Sequence, residues 1–206
     1  MNARQYNEQT MKGLFRKIYP VIADQVLTRT GIRRGRCLDI GGGPGMLGIR
    51  IAQASELEVV IVDPLEACLD LAWENIDEQD VSAQVSTQQA KAEQLPFADN
   101  SIDLAVSRGS IFFWENQAQG LAEIYRVLRP GGWSFVGGGF GNKALRDEIF
   151  AAKANDEKWN QGRESRMRNN PPEHFRALLA ELAIDGVVET GDEGNWILFQ
   201  KPEPVT

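Results

Sequence analysis

Cys37-Leu-Asp-Ile-Gly-Gly-Gly-Pro-Gly-Met46 is a short apolar strand that carries an acid near its end and runs straight into a glycine-rich turn. Leu47-Gly-Ile-Arg-Ile-Ala52 follows at helical spacing. Glycines let a backbone turn tightly and approach a ligand with no Cβ in the way. The N–H groups at the start of the following helix favour a negative group beside them. Asp39 works against that, because a carboxylate at the loop repels a pyrophosphate and attracts an ammonium or sulfonium group. The ligand of this loop therefore decides the function.

Outward from the loop, strands and helices alternate. The pattern predicts strands at 36–40, 58–62, 83–88, 102–106 and 133–136. It predicts helices at 45–54, 65–79 and 117–128. Glu58-Val-Val-Ile-Val62 is almost continuously β-branched, as in a strand buried on both faces of a parallel sheet. Leu65, Leu69, Ala72, Trp73 and Ile76 fall at helical spacing. Pro130-Gly-Gly132 reads as the end of one helix and the turn into the fifth strand. Five alternations imply an α/β fold with a doubly wound parallel sheet. Residues 9–30 read as a helix in two pieces, with Pro20 opening the second. Near the C-terminus a helix at 171–183 precedes Gly186–Gly191 and Asn195–Gln200, close enough to pair as an antiparallel hairpin. Residues 155–170 are polar and read as an exposed loop, insertion or lid. The whole of 1–206 reads as one domain, with a helical N-terminal cap over about 1–34.

Composition narrows the classes. The chain has 206 residues and a formal charge of −7, which argues against a phosphate-tracking nucleic-acid binder. It has one histidine, His174, so a His-rich metal site is excluded and no metal is expected. Cys37 and Cys68 fall in apolar patterns and read as buried, reduced thiols. No apolar run approaches the roughly 18 residues of a membrane span, so a cytoplasmic location without membrane partners is the expectation.

In an open α/β sheet, ligands sit at the carboxyl ends of the strands. Asp63 ends the second strand, where a carboxylate accepts hydrogen bonds from both ribose hydroxyls of a nucleoside, or is simply a solvated strand-end acid. Gly43-Pro-Gly-Met-Leu-Gly48 also fits the dinucleotide pattern G-x-G-x-x-G. It is displaced from the strand end, however, and Asp39 would face the phosphates unfavourably.

Leu38-Asp-Ile-Gly-Gly-Gly-Pro-Gly45 resembles the first motif of the class I S-adenosylmethionine-dependent methyltransferases. Glu93-Gln-Leu-Pro-Phe-Ala-Asp-Asn-Ser-Ile-Asp-Leu104 and Ile124-Tyr-Arg-Val-Leu-Arg-Pro-Gly-Gly132 resemble later motifs of that family, in its order and spacing. The resemblance covers roughly residues 35–140 and is nearest to the small-molecule branch typified by quinone-biosynthesis enzymes. Ser107–Glu115 and Gly137–Lys143 resemble a prokaryotic subgroup within it. The resemblance implies a Rossmann-like, doubly wound, mostly parallel seven-stranded sheet with a C-terminal antiparallel hairpin. It implies S-adenosyl-L-methionine as cofactor, with Asp39 and the backbone of Gly41, Gly42, Gly43 and Gly45 at its methionine end. Asp63 would then bind the ribose, Pro64 and Leu65 pack near the adenine, and Ala92, with Glu93 beside it, donate a backbone N–H to the ring. Ser107 and Arg108 follow the fourth strand, where the transferred methyl usually points. Lys91 stands where the family often carries Asp, and a lysine accepts no hydrogen bond from the adenine amino group. Either Glu93 or a backbone carbonyl substitutes, or adenine recognition is weaker.

Beyond the cofactor, Arg108 either clamps an acceptor carboxylate bidentately or pairs with a surface acid. Phe112, Phe113 and Trp114 either wall an acceptor site or pack a helix onto the sheet. Glu115 is a candidate base or a helix N-terminal charge, and Tyr19 belongs to a cofactor-covering helix or to the core. Gly137–Gly139 and Gly141 suggest close backbone approach to a substrate, or a strained loop. Asn170-Pro-Pro-Glu173 looks like the Asn-Pro-Pro-aromatic motif of nucleic-acid amino-methyltransferases, but lies too late in the chain and ends in Glu; the prolines more simply open a helix. His174 reads as a surface or packing residue.

These features lead to methyl transfer from S-adenosylmethionine to a small-molecule acceptor. The shortage of histidines leans towards an acceptor that needs no strong base. The alternatives are an NAD-linked oxidoreductase and a non-catalytic S-adenosylmethionine-binding protein.

Overall fold

Alternation along the central strands decides which helix lies on which face. In β1 (Arg34–Ile40), Cys37 joins one apolar cluster while Leu38 and Ile40 join the other. In β2 (Glu56–Asp63), Val59 and Ile61 follow Cys37, whereas Val60 and Val62 follow Leu38. The first cluster receives α2 (Ile18–Thr30), α3 (Met46–Gln53) and α4 (Glu66–Glu78). The second receives α5 (Gln117–Val127) and α8 (Pro172–Glu181) through Leu121, Ile124, Phe175 and Leu179. The computed structural model describes residues 3–8 and 13–204.

The remaining strands are β3 (Val85–Gln89), β4 (Ile102–Arg108), β5 (Leu128–Gly138), β6 (Gly186–Gly191) and β7 (Gly194–Gln200). They form one seven-stranded sheet in the order β3-β2-β1-β4-β5-β7-β6. Strands β1 to β5 pair in parallel, and β7 runs antiparallel to both β5 and β6. The doubly wound sheet and the C-terminal hairpin are thus as the sequence implies. Strand order reverses between β1 and β4, so the loops after Ile40 and Arg108 flank one crevice at their carboxyl ends. Among the described residues no helix is long and apolar enough to cross a membrane.

Several local expectations change. The N-terminal region has a short α1 (Ala3–Asn7), a 3₁₀ turn at Leu14–Lys17 and then α2, with Pro20 as the third residue of α2. Part of the expected first helical piece, residues 9–12, lies outside the described residues. Pro130-Gly-Gly132 does not turn into β5 but sits inside it. The register against β4 jumps from Ile102–Leu128 to Leu104–Trp133, so the three residues make a bulge. Residues 155–170 are not a loop either, because α7 spans Glu157–Asn169. Asp156 caps it by accepting the Trp159 N–H at 3.0 Å, and Trp159 packs against Phe140 and Phe150. Between β5 and α7 lies α6 (Lys143–Ala152).

At the end of β5, Gly137 and Gly139 are crowded by backbone of the sheet and its turn. A Cβ on Gly137 would meet the Asn195 carbonyl oxygen at 2.1 Å, and one on Gly139 the Glu193 carbonyl oxygen at 2.1 Å. The backbone that approaches them is β7 and the turn leading into it. Gly137→Ala is expected to lose about 2 kcal/mol of stability by overpacking against rigid backbone. A urea midpoint lowered at unchanged slope shows it, and an unchanged midpoint contradicts it.

Candidate active site

Asp39 sits at the end of β1 and is 1% exposed. Its Oδ2 accepts the Gly48 N–H of α3 at 2.8 Å. The N-cap residue Gly45 has no side chain to satisfy the first turn, so Asp39 caps α3 from the neighbouring strand. Burial, with Asp63 nearby, raises its pKa to about 7 despite that bond. Asp63 ends β2, with Oδ2 accepting from Gly43 N–H at 3.0 Å and Oδ1 from Leu65 N–H at 2.9 Å. Burial raises its pKa above the ordinary carboxylate value, against the pull of those two bonds.

The glycine loop spends its donors internally. Gly41 and Gly42 both donate to the Val62 carbonyl, at 2.7 and 3.1 Å, and Gly45 donates to Gly42. Packing also demands these glycines. A Cβ on Gly41 would meet Ser110 Cβ at 2.3 Å, and one on Gly45 would meet Ile61 Cδ1 at 2.5 Å. Their φ angles of +64° and +83° are left-handed. Asn75, buried on α4, braces the loop by donating to the Pro44 carbonyl at 2.8 Å and to Asn7.

A cavity of about 340 Å³ opens beside this loop, in the size range of a small-ligand site. Gly41, Gly43, Asp63, Pro64 and Leu65 form one wall. Lys91, Ala92 and Glu93 form the second, held by Arg126 of α5, which donates to the carbonyls of Leu95 and Phe97. Arg108, Gly109, Ser110 and Phe113–Glu115 form the third. A second cavity of about 20 Å³ lies against it, lined by Tyr19, Asp39, Gly41, Gly42, Met46 and Arg108 among others. Gly41 and Arg108 belong to both.

Most predicted residues therefore converge, with exceptions. Ser107 is fully buried, lines neither cavity, and bonds to Ser110 Oγ at 2.6 Å. Ser110 takes its place at the wall. Its hydroxyl donates to the Ile40 carbonyl at 2.9 Å and accepts from Trp114 Nε1 at 3.1 Å, tying the loops after β1 and β4 together. Sequence reading missed Ser110 and Asn75, although Gly41, which has room for no Cβ beside Ser110, was the available signal. Gly45 lines neither cavity.

Arg108 pairs with no surface acid among the described residues. Its Nε and Nη2 donate to the Gly139 carbonyl, both at 3.1 Å, and the guanidinium lies 5.5–5.9 Å from the ring centres of Phe15, Tyr19 and Phe140. Tyr19 is 4% exposed, so it belongs to the core and to the small cavity at once. Phe112 turns inward against Phe175, while Phe113, 69% exposed, and Trp114 face the large cavity. His174 bonds to Gln117 at 2.7 Å, and Gln117 in turn to Asn170, which ties α8 to α5 away from the cavity.

Glu115 does not cap the helix. It pairs with Lys91 at 2.7 Å across the rim, while Asn116 caps α5. This pairing also raises the Lys91 pKa, chiefly through the hydrogen bond. Both side chains are more than half exposed, so the pair contributes little to stability. Glu115→Gln is expected to shift the thermal midpoint by under about 2 °C. A drop of 5 °C or more would show that the pair braces the fold.

A methyltransferase-domain family matches residues 38–136. A Methanococcus maripaludis protein assigned as an S-adenosyl-L-methionine-dependent methyltransferase is 37% identical, with a TM-score of 0.93 over 99% of this chain and 94% of that one. The chain belongs to the S-adenosylmethionine-dependent methyltransferases. The chain is also 33% identical over 109 residues to a ubiquinone/menaquinone biosynthesis C-methyltransferase of Marinomonas, a match covering 52% of the chain and 43% of the relative. It thus spans less than half the length of the first curated relatives it matches. It shares its fold with phosphoethanolamine N-methyltransferase 2 of Haemonchus contortus, seen in complex with S-adenosyl-L-methionine, at a TM-score of 0.59 and 20% identity over 98% of this chain and 60% of that one.

Proposed function

We propose that the protein transfers a methyl group from S-adenosylmethionine to a small-molecule acceptor. One observation carries the choice of ligand. The N–H groups of Gly41, Gly42, Gly43 and Gly45 are all engaged within the fold, and the carboxylate of Asp39 stands beside them. A pyrophosphate finds neither free donors nor a favourable field there, whereas a nucleoside with a cationic tail finds both its acids. An ionised carboxylate offers about four acceptor sites. Asp63 uses two on Gly43 and Leu65, which leaves two for ribose hydroxyls. Pro64 and Leu65 offer an apolar face for adenine, and the Ala92 backbone an edge contact. Glu93 spends Oε1 on the Asn116 N–H and keeps Oε2 for the adenine amino group, the role that Lys91 cannot take.

When bound, S-adenosylmethionine supplies a methyl group activated on a sulfonium. The chain's own contribution is to hold the acceptor in line and to keep water out, where alignment matters more than acid–base chemistry. Phe113 and Trp114 wall the acceptor side, and α7 reaches it through Arg166, whose guanidinium lies 5.5 Å from the Phe113 ring centre. In this reading α7 is the lid, the N-terminal helices are the cap of a single catalytic domain, and the enzyme is cytoplasmic. Glu115 and His174 both have partners, which favours a thiolate, a neutral amine or a preionised acceptor.

Calorimetric titration with S-adenosylmethionine and with NADH tests the cofactor. Binding of the first alone is expected, and tight NADH binding without it overturns the reading. Incubation with methyl-labelled cofactor and a cell extract, followed by mass spectrometry, is expected to label a small molecule. Donor binding without any labelled product would mark a non-catalytic binding protein.

A further inference from the structure

Two short links face each other across the mouth of the large cavity. One is residues 90–94, between the end of β3 and Leu95, whose N–H donates to Glu123 of α5 at 2.9 Å. The other is residues 114–116, between the 3₁₀ turn Ile111–Phe113 and α5. Neither link is helix or strand, but each is anchored at both ends. Segments with so few backbone bonds of their own open at the low end of a protein's local stability.

Side chains tie the two links together. Lys91 Nζ donates to Glu115 Oε1 at 2.7 Å, and the Asn116 N–H donates to Glu93 Oε1 at 3.1 Å. The Lys91 ammonium also lies in the field of Glu93, its neighbour on the same link, yet its hydrogen bond crosses the gap. Lys91, Glu93 and Glu115 all line the cavity. The ion pair is the outer of the two ties, with side chains 56% and 77% exposed, so it bridges the mouth from the solvent side. A pair so exposed does little for the fold as a whole. That strength suits a contact that must break and re-form. Both partners belong to the protein, so the bridge closes with the cavity filled or empty.

We propose that the Lys91–Glu115 pair is an ionic latch over the donor cavity, whose opening sets the rate at which the methyl donor enters and the spent nucleoside leaves. Breaking the latch then speeds both directions alike and leaves affinity in place. Both charges stand in water, so salt weakens the pair and quickens exchange. The inference rests on the methyl-donor reading and adds to it a gate on ligand exchange, a step that limits turnover in many enzymes.

The test measures association and dissociation rates by stopped flow, with Trp114 on the cavity wall as the fluorescent reporter. The probe is 5′-methylthioadenosine, the donor's nucleoside without its amino-acid end. It carries no net charge at neutral pH, so altered rim charges do not steer it. Lys91→Met and Glu115→Gln are each expected to raise both rates by about two- to fivefold, the worth of an exposed pair, with Kd within about twofold of native. Native exchange is expected to quicken by at least about twofold between about 0.05 and 0.5 M salt, and exchange in the variants to stay flat. The swap Lys91→Glu/Glu115→Lys is expected to restore slow, salt-sensitive exchange. A swap as fast as the single variants shows that the two side chains act separately and overturns the latch. Faster dissociation alone, with affinity falling in step, makes these residues ligand contacts and also overturns it. If the native protein binds neither S-adenosylmethionine nor 5′-methylthioadenosine, the methyl-donor reading falls and the latch with it. If it binds them and the variants exchange at native rates, the latch alone falls.

Discussion

Asp39→Asn is expected to stabilise the ligand-free protein at pH 8 and to weaken S-adenosylmethionine binding by at least about thirtyfold. Burial raises the Asp39 pKa from 3.8 to about 7 in the folded protein. Between those values the native state holds a proton that the unfolded chain has released, so stability falls as pH rises through this window and the full penalty applies above pH 7. At about 1.4 kcal/mol per pKa unit the penalty is roughly 4 kcal/mol. Asparagine has the same shape and its carbonyl oxygen still accepts the Gly48 N–H, so the variant sheds most of that cost, on the order of 1–3 kcal/mol at pH 8. Urea melts at pH 5 and pH 8 read the effect as a smaller drop in midpoint for the variant, and parallel drops would refute it. Binding shows the other side of the linkage. A donor ammonium favours the ionised carboxylate, so native affinity is expected to rise about tenfold from pH 5.5 to pH 7, and the variant's to stay flat. The site is thus held at a cost in stability, as is common where function needs a buried charge.

What the sequence made legible was short-range. Asp39 and Asp63 stand at the ends of apolar runs, and the glycines follow at once, so strand end, turn and helix are written within some 30 residues. The hand of each strand–helix–strand crossover is likewise a local rule that needs no distant information. The errors came where a distant partner decides. Gly137–Gly139 looked like a substrate approach because the strand that crowds them, β7, comes more than 50 residues later. Pro130-Gly-Gly132 looked like a turn because its pairing with β4, which absorbs it as a bulge, depends on register. Helix α7 has no fully buried residue and hence no apolar period to read; the Asp156 cap and Trp159, edge-on to Phe150 and tilted against Phe140, anchor its first turn. The cage around Arg108 draws on the N-terminal segment, β4 and the loop after β5, three pieces that no local pattern connects.

Asp63→Ala is expected to reduce S-adenosylmethionine affinity by at least tenfold. Two losses contribute, and they differ in kind. The ribose hydroxyls lose a charged acceptor, worth about 1.5–3 kcal/mol where the bond is sheltered from water. The N–H groups of Gly43 and Leu65 also lose their partner, so the loop and the start of α4 loosen. Affinity alone does not separate these effects, but a cycle on the ligand does. The native protein is expected to bind 5′-methylthioadenosine more tightly than its 2′-deoxy counterpart, because one of the Asp63 bonds goes to that hydroxyl. In Asp63→Ala the difference is expected to vanish, whereas loosening would weaken both ligands alike and leave their ratio intact. If the variant keeps the native ratio, the ribose is held elsewhere and Asp63 serves only to shape the loop. Burial raises the Asp63 pKa, so the discrimination is also expected to fade in the native protein as pH falls towards that raised value. Asparagine at this position keeps one acceptor oxygen without the charge. Its affinity should therefore lie between those of the native protein and the alanine variant, with part of the ribose discrimination retained.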